Sequence, residues 1–150
     1  MVDIVTPDVR SRMMAAIGGR NTRPEVALRK ALHAYGVRFR LHRKDLPGSP
    51  DLVFPRYRAV AFVHGCFWHR HAGCRYATTP STRPEFWQTK FDANVARDER
   101  VADSLEALGW RVAIVWECEI RNRLREVAGE LVAWLAAEQD LGRPDRIDLH

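Results

Sequence analysis

Arg58-Ala-Val-Ala-Phe-Val-His64-Gly-Cys66-Phe-Trp-His69-Arg-His71-Ala-Gly-Cys74 passes without a break from an apolar strand into a loop of metal-ligating side chains. Arg58 to His64 is short, β-branched and aromatic, which reads as a buried strand. From His64 to Cys74 the chain holds three histidines and two of its three cysteines. Zinc takes four nitrogen or sulfur ligands in a tetrahedron, and Cys66, His71 and Cys74 supply three. Cys118, far downstream in Trp-Glu-Cys-Glu, could close the shell and would leave no cysteine idle. The spacing Cys-x4-His-x2-Cys is not a common finger pattern. The competing reading is three reduced, buried thiols beside surface imidazoles.

Working outward, Asp51-Leu-Val-Phe54 reads as a second strand, joined to the first by a Pro55-Arg-Tyr57 turn and preceded by the Pro47-Gly-Ser-Pro50 break. Val37, Phe39 and Leu41 alternate with Arg38 and Arg40, again strand periodicity. Before it, Thr22-Arg-Pro-Glu25 predicts a helix start of the capping-box kind, with Glu25 reaching back to the cap amide. Leu28, Ala31, Leu32 and Tyr35 form its apolar stripe and Gly36 ends it. Thr6-Pro7 opens an earlier helix that stops at Gly18-Gly19.

Downstream, a polar segment from Thr78 to Thr82 leads into a long helix from Pro84 to Leu108, terminated by Gly109. Trp110 to Trp116 is nearly all apolar apart from Arg111, the mark of a central strand buried on both faces. Leu124, Val127, Ala128, Leu131 and Leu135 mark a last helix, and the polar tail 142–150 is expected to fray. The order α-α-β-β-β-α-β-α predicts a single α/β domain over 1–150 with a mixed central sheet.

The 150 residues contain 24 Lys and Arg against 19 Asp and Glu, a net charge of +5 that suits a polyanion, nucleic acid first. An odd cysteine count and no apolar N-terminal segment argue against a secreted disulfide scaffold. No run approaches the ~18 apolar residues of a membrane span. The expectation is a soluble, cytoplasmic protein with reduced thiols.

Several side chains could carry chemistry. Asp51 enters a strand after Pro50, a rim position from which a carboxylate can reach a cleft and hold Mg²⁺, although a lone Pro-Asp more often caps a turn. Asp98 falls within the helical stripe Phe91, Val95, Ala102, Leu105, where a carboxylate is costly unless paired or used. A buried ion pair with an arginine of the sheet competes with a functional role. His64 and His69 are pinned by the metal loop, and a fixed imidazole is the usual general base near neutral pH. Either could instead be a spare zinc ligand. Glu25 has the bland reading of the capping box.

Other residues suit DNA. Met14 lies opposite Met13 on the first helix amid Arg10, Arg12 and Arg20, a setting for an apolar wedge between base pairs, though a methionine in a short helix is core by default. Phe67-Trp68 and Trp87 could stack on bases or simply fill a small core.

The chain resembles the very short patch repair (Vsr) endonucleases, bacterial enzymes that nick DNA at T:G mismatches. The likeness is densest in Pro-Asp51-Leu-Val-Phe, His64-Gly-Cys-Phe-Trp-His69, Glu85-Phe-Trp-Gln, Asn94-Val-Ala-Arg-Asp98, Gly109-Trp-Arg-Val and Val115-Trp-Glu-Cys118. It implies an αβββαβ core related to type II restriction endonucleases. It implies Mg²⁺ on Asp51 and the backbone carbonyl of Val63, with His69 as general base or assisting the attacking water. Glu25, His64 and Asp98 would orient the waters around the cation. A structural Zn²⁺ would sit on Cys66, His71, Cys74 and Cys118. Phe67, Trp68 and Trp87 would enter the duplex from the major groove and Met14, on a DNA-contacting helix within residues 1–20, from the minor groove.

Two positions depart from the family pattern. Ala72 and Gly73 put two residues where the pattern has one between the zinc histidine and the next cysteine, which predicts a bulged loop. Position 63 is Val where a well-known member has Thr, a change a backbone ligand tolerates.

The resemblance implies a monomeric Mg²⁺-dependent endonuclease cutting 5′ to the mismatched thymine. Its functional companion would be a cytosine-5 DNA methyltransferase, with mismatch-repair proteins as possible partners. The alternative is a zinc-stapled DNA-binding module without catalysis. A zinc hydrolase of small molecules would need an open zinc position, which a Cys3His shell denies.

Overall fold

Residues 21–137 and 146–149 are described by the computed structural model of the chain. Five strands form one sheet in the order β1-β2-β3-β4-β5: Arg40–Leu41, Leu52–Phe54, Ala59–His64, Arg111–Trp116 and Arg146–Leu149. The first three are antiparallel, and β3, β4 and β5 run parallel. Three α-helices accompany them among the described residues: α1 (Arg23–Ala34), α2 (Pro84–Ala107) and α3 (Glu117–Ala136).

The two-residue period of the strands sorts their side chains between two cores. Leu52, Phe54, Ala59, Ala61, Ala113 and Val115 point toward α1 and α3, where they meet Leu28, Leu32, Val127 and Leu131. Val53, Val60 and Val112 point the other way, onto Ala102 and Leu105 of α2. Both faces of the sheet are therefore covered, which explains why β3 and β4 read as apolar runs.

The central place expected for β4 requires a neighbour on each side, and β5 provides the second. Ala113 pairs with Ile147 and Val115 with Leu149. This corrects the expectation of a frayed tail as far as Arg146–Leu149 are concerned. Arg146 ties the strand to α2 through Glu99 at 2.9 Å, Asp103 at 2.9 Å and Glu106 at 2.6 Å. Trp116 Nε1 donates to Asp148 at 2.5 Å. These partners lie over 30 residues away, so local hydropathy could not reveal them.

Two other expectations change in detail. Val37 to Leu41 contributes only Arg40–Leu41 to the ladder, because β2 ends at Phe54 and the following Pro55 opens a short 3₁₀ helix with no N–H to offer. Phe39 instead stacks on His33, with ring centroids 4.7 Å apart. At α1, Thr22 caps the Glu25 amide as expected, but the Glu25 carboxylate accepts from the amide of Asn21 at 3.0 Å rather than from that of Thr22.

The parallel pair β3–β4 decides where the chemistry sits. His64 and Trp116 are register partners at the C-terminal ends of the two strands. The loop after His64 and the start of α3 at Glu117 therefore leave the sheet side by side. That juxtaposition brings Cys118 to the loop.

Candidate active site and metal-ligand cluster

Cys66, His71, Cys74 and Cys118 each offer a ligand atom, all within 4.8 Å of one another. Cys118 Sγ and His71 Nδ1 are 3.4 Å apart. Tetrahedral zinc with Zn–S near 2.3 Å separates its ligands by roughly 3.5–4 Å, so the donor set fits that ion. Burial pushes the Cys118 thiol up to about 12, with the facing Cys66 thiol adding to the effect. The extra residue of the loop is taken up by a β-turn: the Cys74 amide donates to His71 O at 3.2 Å, and Gly73 adopts φ +71° within it. Glycine accepts that left-handed conformation without strain. The ring of His71 lies flat on Trp116, with centroids 4.3 Å apart, which fixes its orientation.

Arg70, which no motif singled out, holds the rest of the loop. It donates to Phe67 O at 3.2 Å, Ala77 O at 2.9 Å and Thr78 O at 2.8 Å, and its guanidinium lies 4.0 Å from the Phe91 ring centroid. A planar five-donor cation is suited to collecting several carbonyls at once.

Beside the cluster opens a cleft of about 980 Å³, lined among others by Glu25, Asp51, Val63, His64, His69 and Asp98. Asp51 Oδ2 accepts the Val63 amide at 2.7 Å across the β2–β3 hairpin. Burial raises the Asp51 carboxyl to about 6, against the lowering effect of that amide. A partly buried carboxylate at the rim of a cleft can seat a cation. Glu25 is fully buried under the cleft and pairs with Arg29, one helical turn on.

The same cleft holds a histidine–carboxylate pair. His69 Nδ1 lies 2.6 Å from Asp98 Oδ2, and the His69 ring stacks on His64 with centroids 3.9 Å apart and planes 7° from parallel. Asp98 thus pairs with the loop histidine, not with an arginine of the sheet. Its helical stripe is also less apolar than its spacing implied, since Val95 is 45% exposed. Burial lowers His64 to about 3, with His69 adding to the effect.

Phe67 and Trp68 meet edge to face at 5.0 Å, and both approach Trp87 at 6.1 Å. Phe91 is buried against Phe67 and Trp87, whereas Phe67, Trp68 and Trp87 are half-buried, the first two lining the cleft. They are neither core nor free surface but a fixed aromatic platform. Exposed Lys90 and Arg97 line the same cleft. Met14, Arg10 and Arg12 lie outside the described residues, as does the helix expected around them.

His42 was missed. Its imidazole stands between Glu25 and Asp51, close enough to form with them a third group of ligand atoms within 4.8 Å. The signal was available in principle: Leu41 pairs with Leu52, so the next position on each strand places His42 opposite Asp51. It could be used only with the hairpin register in hand.

Carboxylates, imidazoles and an aromatic, basic rim share one cleft, and comparison with known proteins gives the class, a DNA endonuclease. Residues 2–75 match the family described as DNA mismatch endonuclease Vsr. The DNA mismatch endonuclease Vsr of Escherichia coli is 41% identical over 154 aligned positions, covering 100% of this chain and 98% of the relative. The Type II nicking enzyme V.XorIIP of Xanthomonas oryzae pv. oryzae is 55% identical over 122 residues, 81% of this chain and 89% of its own. V.NmeAIP of Neisseria meningitidis, also a Type II nicking enzyme, is 41% identical over 123 residues, 82% of this chain and 87% of its own. The chain belongs to the Vsr family of DNA mismatch endonucleases.

Proposed function

We propose that this chain is a Mg²⁺-class cation-dependent endonuclease that nicks DNA 5′ to the thymine of a T:G mismatch and so begins repair of deaminated 5-methylcytosine. The observation that carries the reading is the shared cleft: Asp51, the His69–Asp98 pair and the Phe67–Trp68 platform open onto one space. A single-domain core of the type II restriction endonuclease kind, acting as a monomer in the bacterial cytoplasm, suits this reading. A cytosine-5 methyltransferase would be its functional companion, because methylation creates the base whose deamination gives T:G. Mismatch-repair proteins are further candidates for partners.

Asp51 Oδ1 and the Val63 carbonyl would hold the cation, which supplies neutralisation of the phosphate charge. His69 accepts the proton of the water that attacks phosphorus, and Asp98, on its Nδ1, stabilises the imidazolium that results. The P–O bond to the 3′ oxygen breaks and that oxygen takes a proton from solvent water, leaving a 3′-hydroxyl and a 5′-phosphate. His64, stacked on His69, keeps that ring in plane. Glu25 orders the polar floor beneath Asp51. The Cys66–His71–Cys74–Cys118 set would hold structural zinc and thereby fix the loop that presents Phe67, Trp68 and His69. Trp87 would join the stacking from the major groove, and Met14, Arg10 and Arg12 would act from the minor-groove side.

Strand scission on matched duplexes differing only in T:G against C:G tests the proposal. Nicking confined to the T:G duplex, on the thymine strand and only with divalent cation, is expected. Equal cutting of both duplexes would remove the mismatch from the reading.

A further inference from the structure

We infer that Arg97 is a further catalytic residue, a guanidinium that binds the non-bridging oxygens of the scissile phosphate beside the His69–Asp98 pair. This rests on the reading of that pair as the group that activates water, and supplies the phosphate ligand which that reading lacks.

Helix α2 sets its position. Lys90, Asn94, Arg97 and Val101 all line the cleft, and their spacing of four, three and four residues is that of one helical face. Asn94 ties this face to the loop by donating to Trp68 O at 3.4 Å. Arg97 directly precedes Asp98, whose Oδ2 meets His69 Nδ1 at 2.6 Å. A long cationic side chain therefore stands next to the histidine–carboxylate pair, on the wall of the same space.

The charges of the cleft point to this residue. Among the described residues, Glu25, Asp51, Asp98 and Glu117 are the carboxylates that line it. Glu25 is held by Arg29, Asp98 by His69 and Glu117 by Arg121. Asp51 is read as the ligand of the cation. No carboxylate of the cleft leans on Arg97, and no ion pair or hydrogen bond among the described residues occupies its guanidinium. It is also the one arginine among the described residues that lines the cleft.

Lys90 lines the cleft as well, but seven residues earlier, about 10 Å along the helix. Its Nζ lies 5.8 Å from the ring centroid of Phe86, at the aromatic end. Arg97 is at the hydrolytic end.

Phosphodiester hydrolysis uses such a group. As the water oxygen bonds to phosphorus and the bond to the 3′ oxygen breaks, negative charge collects on the non-bridging oxygens. A guanidinium offers two parallel N–H donors that match them, and it loses no proton in the step. Its contribution is largest where charge develops, so it acts on rate more than on affinity. Lysine would supply the charge without the fork.

The test uses the zinc-replete full chain and a T:G duplex, with nicking read in single turnover at saturating enzyme. Arg97→Ala should nick about a hundredfold more slowly than the parent, with Arg97→Lys between the two. Both should keep the parent's zinc content and melting temperature. Arg100→Ala removes an exposed arginine of the same helix outside the cleft lining and should nick like the parent. Binding without added divalent cation locates the contact. A methylphosphonate at the scissile position removes that phosphate's charge, which should lower the parent's affinity about tenfold more than that of Arg97→Ala. Nicking by Arg97→Ala at the parent's rate, or an equal effect of the methylphosphonate on both proteins, overturns the inference. The underlying reading fails separately: His69→Ala nicking at the parent's rate would overturn the role of the His69–Asp98 pair itself.

Discussion

His69 Nδ1 and Asp98 Oδ2 stand 2.6 Å apart although 29 residues separate them in the chain. This contact locks the loop that follows β3 to the middle of α2 and assigns the loop histidine a fixed tautomer. Asp98→Asn keeps the shape and loses the charge that would stabilise a protonated His69. Single-turnover nicking should fall by roughly a hundredfold, the scale of a general-base contribution, with mismatch affinity unchanged. Unaltered nicking would reduce the pair to a structural tie.

Stacking should be visible at Trp68, which shares the platform with Phe67 and Trp87. Trp68→Ala is expected to weaken binding to a mismatched duplex by ~1–3 kcal/mol, the usual worth of one aromatic on a base. Titration of the variant against T:G and homoduplex DNA checks this. Equal affinities to those of the parent would return the aromatics to a packing role.

Zinc should be present at one per chain in freshly purified protein, and its removal should unfold the loop from Cys66 to Cys74. Hydrogen exchange before and after chelation would show the loss of protection there. Cys118→Ser should lower zinc content, because its sulfur lies with the other three ligand atoms. Full zinc occupancy in that variant would place the fourth ligand elsewhere.

Arg146 anchors β5 on three carboxylates of α2, two of them well exposed. Solvent screens such pairs, so Arg146→Ala should cost only about 1 kcal/mol in denaturant unfolding. A much larger loss would show that β5 carries more of the fold than its four residues suggest.

Much of this architecture was legible in the chain. Apolar runs located β3 and β4, and the Pro84 start and Gly109 stop bounded α2 within a residue or two. The four zinc candidates and Asp51, His64, His69 and Asp98 were singled out by residue chemistry, and the parallel register of His64 with Trp116 explains why they converge. What escaped depended on distant partners. β5 is a polar strand recruited by an unsatisfied β4 edge and by Arg146. Arg70 works through carbonyls scattered along the loop. His42 gains its meaning only from the strand opposite.

Asp51 carries the central claim, and its replacement by alanine tests it most directly. Nicking of a T:G duplex with Mg²⁺ or Mn²⁺ should collapse in Asp51→Ala. Binding to the same duplex should persist, or improve, because affinity rests on basic and aromatic contacts and a carboxylate near phosphate repels it. A fully active Asp51→Ala protein would contradict the account.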